Sequence, residues 1–198
     1  TQALVPVIAE FAVPQEQLLE IIDGMEMDLQ QSRYLDFKAL SLYCYRVASV
    51  VGLLAAEIFG FQDRKTLKYA HDLGMAFQLT NIIRDVGEDA RRGRVYLPMD
   101  ELKRFEVPVA DILNARQTDN FRRLMEFQIE RAEQYYAQAM NMLPALDRKM
   151  QRPGLVMAAI YRTLLEEIKN DGFLVLNQRT SLTPIRKLWI AWRTWIKG

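Results

Sequence analysis

The polar residues best suited to chemistry lie in one stretch, residues 78–94, which reads QLTNIIRDVGEDARRGR. On a helix with about 3.6 residues per turn, Gln78, Asn81, Asp85 and Asp89 fall on one narrow face. Apolar residues cover most of the remaining circumference, and a helix of that kind is normally buried. The polar face is therefore expected to line an internal cavity rather than to meet bulk water.

The spacing of Asp85 and Asp89 on this face favours a divalent cation between them. Two neighbouring carboxylates in a cavity repel each other and lose hydration, and a bound cation offsets both effects. Mg²⁺ prefers oxygen ligands from one or two carboxylates, completed by water and substrate phosphates. Arginines with phosphate-matching geometry lie in the same stretch, namely Arg84, Arg91, Arg92 and Arg94. The pattern predicts a magnesium–diphosphate site.

A solvated helix end is the alternative interpretation of the same residues. Asp85, Glu88 and Asp89 could pair with the arginines along an exposed surface, as most charge clusters do. Gly87 favours the cavity, because a glycine inside an exposed helix costs about 1 kcal/mol relative to alanine. It indicates close packing or the close approach of a ligand, and the sequence leaves both interpretations open.

The elements that must position these residues are helices. Alternating apolar segments joined by tight turns are nearly absent, whereas helical periodicity is almost continuous. Helices are expected over about 36–59, 63–90, 119–143 and 153–171, with others that begin at Pro14 and Pro184. Residues 94–98 are expected to form a loop. The fold class is therefore all-α, a bundle of long helices with short connections.

Composition limits the classes of function. A chain of 198 residues suits one domain, and a net charge of +1 gives no indication of nucleic-acid binding. The single cysteine, Cys44, cannot form an internal disulfide, which is typical of the cytoplasm. The sequence suggests no membrane-spanning run, no signal peptide and no glycine-rich nucleotide motif. NADPH is therefore not expected in the reaction, at least not in its first half.

Three segments resemble the squalene and phytoene synthases. QLTNIIRDVGEDARRGRVYLP at 78–98 resembles their second aspartate-rich motif, and IDGMEMDL at 22–29 and LYCYRVASVVG at 42–52 match two further segments in the right order. The resemblance extends over essentially the whole chain. It implies a single-domain isoprenoid synthase fold with a central cavity, and head-to-head condensation of two allylic prenyl diphosphates.

The resemblance also implies roles for individual residues. Asp85 and Asp89 match the metal-binding carboxylates, and Tyr43 matches a tyrosine proposed to manage protons during cyclopropane formation. The positions implied to contact the substrate and its diphosphate are Gln78, Asn81, Arg84, Arg94, Asp28, Tyr161 and Arg179. The family carries another aspartate-rich motif upstream of IDGMEMDL, and this sequence starts at Thr1 without it. The expectation is one prenyl-synthase domain over residues 1–198 with a trimmed N-terminal segment.

The C-terminal half points to a particular substrate. RPGLVMAAIYRTLLEEI and GFLVLNQRTSLTPIRKLWIAWRTW resemble the bacterial presqualene diphosphate synthase of hopanoid biosynthesis, and Arg46 and Ser49 replace a tyrosine and a glycine expected in phytoene synthases. The favoured reaction joins two farnesyl diphosphates to presqualene diphosphate and pyrophosphate. The alternatives are a phytoene synthase acting on geranylgeranyl diphosphate and a non-enzymatic assembly factor that shares the fold.

All three tryptophans of the chain lie near its C-terminus, at Trp189, Trp192 and Trp195. Basic residues are interleaved with them, and this combination favours the interface between a membrane and water. The pattern predicts reversible membrane association of a terminal amphipathic helix. The alternative is that the tryptophans pack onto the protein's own body.

Overall fold

The computed structural model describes residues 5–11 and 13–197, which fold into helices joined by short loops. The helices are α1 (Val5–Glu10), α2 (Gln15–Gln30), α3 (Phe37–Cys44), α4 (Val50–Phe59), α5 (Lys65–Arg91), α6 (Met99–Arg104), α7 (Val109–Leu113), α8 (Asp119–Met142), α9 (Arg152–Asn170) and α10 (Pro184–Lys197). A π-helical turn (Tyr45–Ser49) joins α3 to α4, and a 3₁₀ turn (Leu174–Leu176) follows α9. No strand is formed within the described ranges, so the all-α prediction is confirmed.

Helix α5 is the centre of the bundle. It packs against α8 along much of its length and also contacts α4, α9 and the 3₁₀ turn. Its apolar residues are buried around most of the circumference, including Leu73, Leu79, Ile83 and Val86. The predicted burial of this helix is therefore confirmed for its apolar residues, whereas Arg84, Asp85, Glu88 and Asp89 on its polar side stay partly exposed.

The predicted helix over residues 36–59 is interrupted by the π turn. Its ends are as expected, since Asp36 Oδ1 accepts a hydrogen bond from the Ala39 amide at 2.8 Å and Gly60 has a φ of 83°. The interruption lies where this run crosses α5, and the Ser49 hydroxyl donates to the carbonyl oxygen of His71 at 2.9 Å. The sequence alone did not indicate the turn, because it depends on contact with another helix.

Two glycines let the α3–α4 run approach the α5 backbone. A Cβ at Gly52 would lie 2.6 Å from the Ala70 carbonyl oxygen, and one at Gly74 would lie 2.6 Å from the Ala48 carbonyl oxygen. Side chains at either position would separate the helices. This close crossing sets the width of the space between α4 and α5.

The run Phe37–Phe59 also corrects an expectation from composition. It has 23 residues and a mean hydropathy of 1.6, so by length and composition it could cross a membrane. In the fold it contacts α2 and α5, and the apolar character of its inner side reflects that packing.

Helix α10 packs against α9 but does not bury its tryptophans. Ile190 is buried, whereas Trp189, Trp192 and Trp195 are 53%, 63% and 52% exposed. Trp189 and Trp195 are thus covered over about half of their surface, and the Arg152 guanidinium lies 5.3 Å from the Trp195 ring centroid, so the tryptophans pack onto the protein's own body only in part.

Candidate active site

The polar face of α5 lines a cavity, as the sequence predicted, although the cavity is partly open to solvent. The cavity has a volume of about 240 Å³. Its lining residues are Tyr43, Gln78, Asn81, Ile82, Arg84, Asp85, Asp89 and Tyr96. The alternative of a solvated helix end describes only the residues beside it, where Arg92 is exposed and pairs with Glu88 at 2.8 Å.

Arginine side chains hold Asp85 in its ionised form. Arg84 Nε donates to Asp85 Oδ1 at 2.8 Å and its Nη2 donates to Oδ2, while Arg179 Nε donates to Oδ1 at 2.8 Å. Burial alone would raise the pKa of Asp85, but these hydrogen bonds and charges hold it below its usual range. Two guanidinium groups thus already lie beside the carboxylate on which the predicted metal site depends.

Asp89 is in the opposite electrostatic situation. Burial, together with the negative charges of Asp85 and Glu88, raises its pKa to about 6, and Arg92 and Arg94 offset this only in part. A cation placed between the two carboxylates would favour the ionised form of Asp89.

The oxygen atoms around this position fit Mg²⁺. The Oδ1 atom of Asn81 is buried and has no hydrogen-bond partner among the residues that the structure describes. With Asp85 and Asp89 it offers a third oxygen to a hard cation. No group of three or more carboxylate, imidazole or thiol side chains is in metal-binding arrangement within residues 5–11 and 13–197. The remaining ligands of a cation here would therefore be water and phosphate, as Mg²⁺ prefers.

A carboxylate hidden behind the cavity wall joins two tyrosines. Tyr43 donates its hydroxyl to Asp28 Oδ2 at 3.0 Å, and Tyr96 donates to Asp28 Oδ1 at 2.7 Å. The two rings stack with centroids 5.4 Å apart. Both oxygens of the Asp28 carboxylate thus accept hydrogen bonds from phenols. The sequence analysis did not predict a role for Tyr96, although Tyr96 lies in the VYLP end of the motif that resembles the family.

The other predicted contact residues lie at the edges of the cavity. The Arg94 Nη2 atom donates to the backbone oxygen of Asp28 at 2.9 Å and so fixes α2 beside the site. Tyr161 and Arg179, with Arg84 and Lys187, line a neighbouring cavity of about 290 Å³. Arg91 and Arg92 are exposed and are not among the lining residues of either cavity.

An apolar channel of about 270 Å³ adjoins the polar cavity. Gln78 and Asn81 line both spaces, so the polar cavity and the channel between α4, α5 and α9 adjoin at these two residues. Small residues form much of its wall, including Ala48, Gly52, Ala55 and Ala70. Val47 lines the channel and Ile82 lines the polar cavity, whereas Val50 and Leu79 are buried in the core.

A family model for squalene/phytoene synthase matches residues 1–186. The chain belongs to this family. Curated relatives within the family include a phytoene synthase of Arthrospira platensis, 39% identical over 94% of this chain and 64% of the relative. The 15-cis-phytoene synthase of a Synechocystis species is 36% identical over 99% of this chain and 62% of the relative. The chain thus spans somewhat less than two thirds of each of these relatives.

Solved structures within the family support the fold. A dehydrosqualene synthase in complex with ligand superposes with a TM-score of 0.84 at 26% identity, over 97% of this chain and 68% of that one. Squalene synthase HpnC from Alicyclobacillus acidocaldarius superposes with a TM-score of 0.78 at 26% identity, over 87% and 65%. The predicted family and isoprenoid synthase fold are therefore confirmed.

Proposed function

We propose that this protein condenses two allylic prenyl diphosphates head to head in a Mg²⁺-dependent prenyltransferase reaction. The observation that supports this best is that an acidic, arginine-flanked cavity and an apolar channel adjoin at Gln78 and Asn81. A substrate with a charged diphosphate head and a long isoprenoid tail matches both compartments. Membership of the squalene/phytoene synthase family supports the same reaction class.

Separate groups of residues would bind the metal ion and the diphosphate. Asp85, Asp89 and the Asn81 amide oxygen would hold Mg²⁺, with the substrate diphosphate completing the shell. When bound, Mg²⁺ would neutralise the negative charge that builds on the departing diphosphate. Arg84 and Arg179, which now pair with Asp85, are within reach of the same oxygens and would add fixed positive charge.

The apolar channel would protect the allylic cation from water. A carbocation reacts with whatever nucleophile it meets first, so the second alkene must be held closer than any solvent. The helices around the channel present few polar side chains apart from those at the junction. Tyr43, at the cavity wall, would take part in the proton transfer that closes the cyclopropane ring.

For the substrate, we favour geranylgeranyl diphosphate and hence a phytoene synthase reaction. The support is that relatives 36–40% identical to this chain are named phytoene synthases. This reverses the preference drawn from the C-terminal segments. Farnesyl diphosphate, with presqualene diphosphate as product, stays as the second candidate, because structures named for dehydrosqualene and squalene synthases are also similar.

The assignment is tested by incubating the full-length protein and Mg²⁺ with each prenyl diphosphate separately and identifying the products by mass spectrometry. We expect a C40 product from geranylgeranyl diphosphate to form with the higher kcat/KM. A clear preference for farnesyl diphosphate would transfer the assignment to presqualene diphosphate synthesis. Absence of both products and of released pyrophosphate would favour the non-enzymatic assembly factor.

We also propose that the protein works at the cytoplasmic face of a membrane, docked through α10. Its exposed tryptophans are accompanied by Arg193, whose guanidinium lies 5.2 Å from the Trp189 ring centroid, and the helix carries no acidic residue. Such a helix fits anionic headgroups above an apolar layer. Hydrophobic substrates and products would then pass directly between the membrane and the channel.

Vesicle co-sedimentation tests this docking. Replacing Trp192 with serine should weaken binding to vesicles that contain anionic lipid, and neutral vesicles should bind less in every case. Leu146→Ser, at another exposed apolar site, is the matched control and should bind like the parent protein. Equal binding by both variants would exclude α10 as the docking element.

A further inference from the structure

Asp28 is placed to receive a proton that starts in the cavity. The cavity is lined by the hydroxyl-bearing rings of Tyr43 and Tyr96, and each hydroxyl donates to a different oxygen of the Asp28 carboxylate, at 3.0 and 2.7 Å. A hydrogen-bonded path therefore leads from the cavity through one phenol to a carboxylate behind the wall. The aromatic cluster is completed by Tyr34, whose ring centroid lies 5.5 Å from that of Tyr43.

Tyr43 by itself is a poor final acceptor for the proton. Burial, with the charge and hydrogen bonding of Tyr96 and Asp28, raises the pKa of Tyr43 far above its usual value. The side chain is therefore a neutral phenol before the reaction. A neutral phenol that accepts a proton from a carbocation must release its own proton, and its hydrogen bond already points to Asp28.

We propose that Asp28 is the proton acceptor of ring closure, reached through Tyr43, and that Tyr96 positions the Asp28 carboxylate. This inference rests on the proposed function. As the first substrate loses pyrophosphate, the double bond of the second substrate forms a carbon–carbon bond to C1 of the first. The electron pair of a C1–H bond then forms the last bond of the cyclopropane ring. The released proton passes to Tyr43 Oη while the Tyr43 proton passes to Asp28 Oδ2, so the carboxylate becomes a carboxylic acid.

Tyr96 has a distinct role in this arrangement. Its hydrogen bond holds Oδ1 of Asp28, which leaves Oδ2 directed at Tyr43. On the other side, the Arg94 guanidinium fixes the Asp28 backbone oxygen at 2.9 Å, so the residue is held from main chain and side chain together. Loss of the Tyr96 hydroxyl would let the carboxylate turn and would weaken the path without removing it.

The chain supplies a matched control for the test. The Tyr34 hydroxyl is buried in the same aromatic cluster and has no hydrogen-bond partner in the part of the chain that the structure describes. Tyr34→Phe and Tyr96→Phe therefore remove the same atom from neighbouring stacked rings. Of the two hydroxyls, that of Tyr96 donates to Asp28 and that of Tyr34 does not.

The experiment compares the full-length enzyme with Asp28→Asn, Tyr96→Phe and Tyr34→Phe, using substrate with and without deuterium at C1. The ring-closed condensation product, together with any C40 product derived from it, should fall by about 100-fold or more in Asp28→Asn and by about tenfold in Tyr96→Phe. The cation would then be trapped by water, so pyrophosphate release should continue with prenyl alcohols as products. The deuterium isotope effect on ring closure should increase in Tyr96→Phe and stay unchanged in Tyr34→Phe.

The inference is overturned if Tyr96→Phe behaves like Tyr34→Phe in both product ratio and isotope effect. It is equally overturned if folded Asp28→Asn forms the cyclopropane product at the parent rate. Tyr96→Phe preserves ring packing and decides the question even if Asp28→Asn fails to fold. A parent enzyme that neither condenses prenyl diphosphates nor releases pyrophosphate would instead overturn the proposed function, and this inference with it.

Discussion

Two carboxylates on one face of α5 have pKa values shifted in opposite directions by their neighbours. Arg84 and Arg179 hold the pKa of Asp85 low, whereas burial and the charge of Asp85 raise that of Asp89 to about 6. Asp89 therefore gains most from an added cation, because ionising it then costs less. At the residue scale, this asymmetry predicts which substitution most affects metal binding.

Asp89→Asn should greatly weaken binding of Mg²⁺ together with inorganic pyrophosphate and leave the fold intact. The amide keeps the shape of the side chain but removes the charge that a hard cation prefers. Calorimetric titration of pyrophosphate in the presence of Mg²⁺ should show affinity at least about tenfold lower. Glu126→Gln removes an exposed carboxylate from α8, away from the cavity lining, and should bind like the parent. Equal weakening in both variants would contradict a specific role for Asp89.

At the scale of elements, a backbone contact between α5 and the 3₁₀ turn is set by Gly87. A Cβ at this position would lie 2.3 Å from the Leu176 carbonyl oxygen and 2.5 Å from that of Val175. The glycine thus reflects close packing between elements rather than the close approach of a ligand. The same contact holds the segment that leads to Arg179 near Asp85.

Gly87→Ala should destabilise the protein by about 2 kcal/mol, because overpacking against backbone exceeds the gain in helix propensity. A thermal melt should show a midpoint several degrees lower. If helix propensity governed this position instead, the midpoint would rise.

The connection between α4 and α5 is held by one buried carboxylate. Asp147, in the loop between α8 and α9, accepts hydrogen bonds from the amides of Gln62 and Asp63 at 2.8 and 3.1 Å and from the Thr66 hydroxyl at 2.6 Å. Burial alone would raise the pKa of Asp147, but these bonds hold it below its usual value. A lowered pKa in the folded state stabilises the protein above the unfolded pKa, and this contribution is lost as the pH falls.

Asp147→Asn should therefore lower the free energy of unfolding at pH 7 by about 2 kcal/mol. The difference from the parent should shrink as the pH falls below about 4, where the carboxylate is protonated first in the unfolded chain and then, at lower pH, in the folded protein. Urea unfolding at both pH values measures this. Asp171→Asn changes an exposed carboxylate at the end of α9 and should show no such difference. A pH-independent loss of stability in Asp147→Asn would contradict the electrostatic explanation.

At the scale of the whole molecule, α4, α5 and α9 together enclose the apolar channel. Its wall is built from small residues, so its width depends on how closely the three helices approach one another. A larger side chain in this wall would shorten the space for an isoprenoid tail. The channel therefore links helix packing to the choice between geranylgeranyl and farnesyl diphosphate.

Ala55→Phe should lower kcat/KM for geranylgeranyl diphosphate more than for farnesyl diphosphate. The phenyl ring would occupy part of a channel of about 270 Å³, and the longer tail needs more of it. Competition between the two substrates, followed by product analysis, gives the ratio directly. Ala137→Phe introduces the same ring at an exposed position of α8 and should leave the ratio unchanged. An unchanged ratio in Ala55→Phe would mean that the tail does not extend past this residue.

The sequence by itself determined the helices, their main boundaries and the polar face of α5. Periodicity, the Asp36 cap and the stop at Gly60 are local features, so they can be read without the fold. The burial of α5 followed from its apolar circumference, and that burial placed Asp85 and Asp89 beside a cavity. Short helices α6 and α7, with six and five residues, were missed because they contain too few turns to establish a period.

Only the tertiary structure decided how these residues act on one another. Three contacts join residues that are far apart in the sequence: Asp28 with Tyr96, Asp85 with Arg179 and Gly87 with Leu176. They form because different helices pack together, so the sequence alone did not indicate them. Charges and hydrogen bonds depend on distance in space, so the opposite pKa directions of Asp85 and Asp89 could not be read from two identical residue types. The exposure of the α10 tryptophans also depends on tertiary packing. An amphipathic pattern shows that a helix has an apolar side, and the packing against α9 decides whether that side is covered.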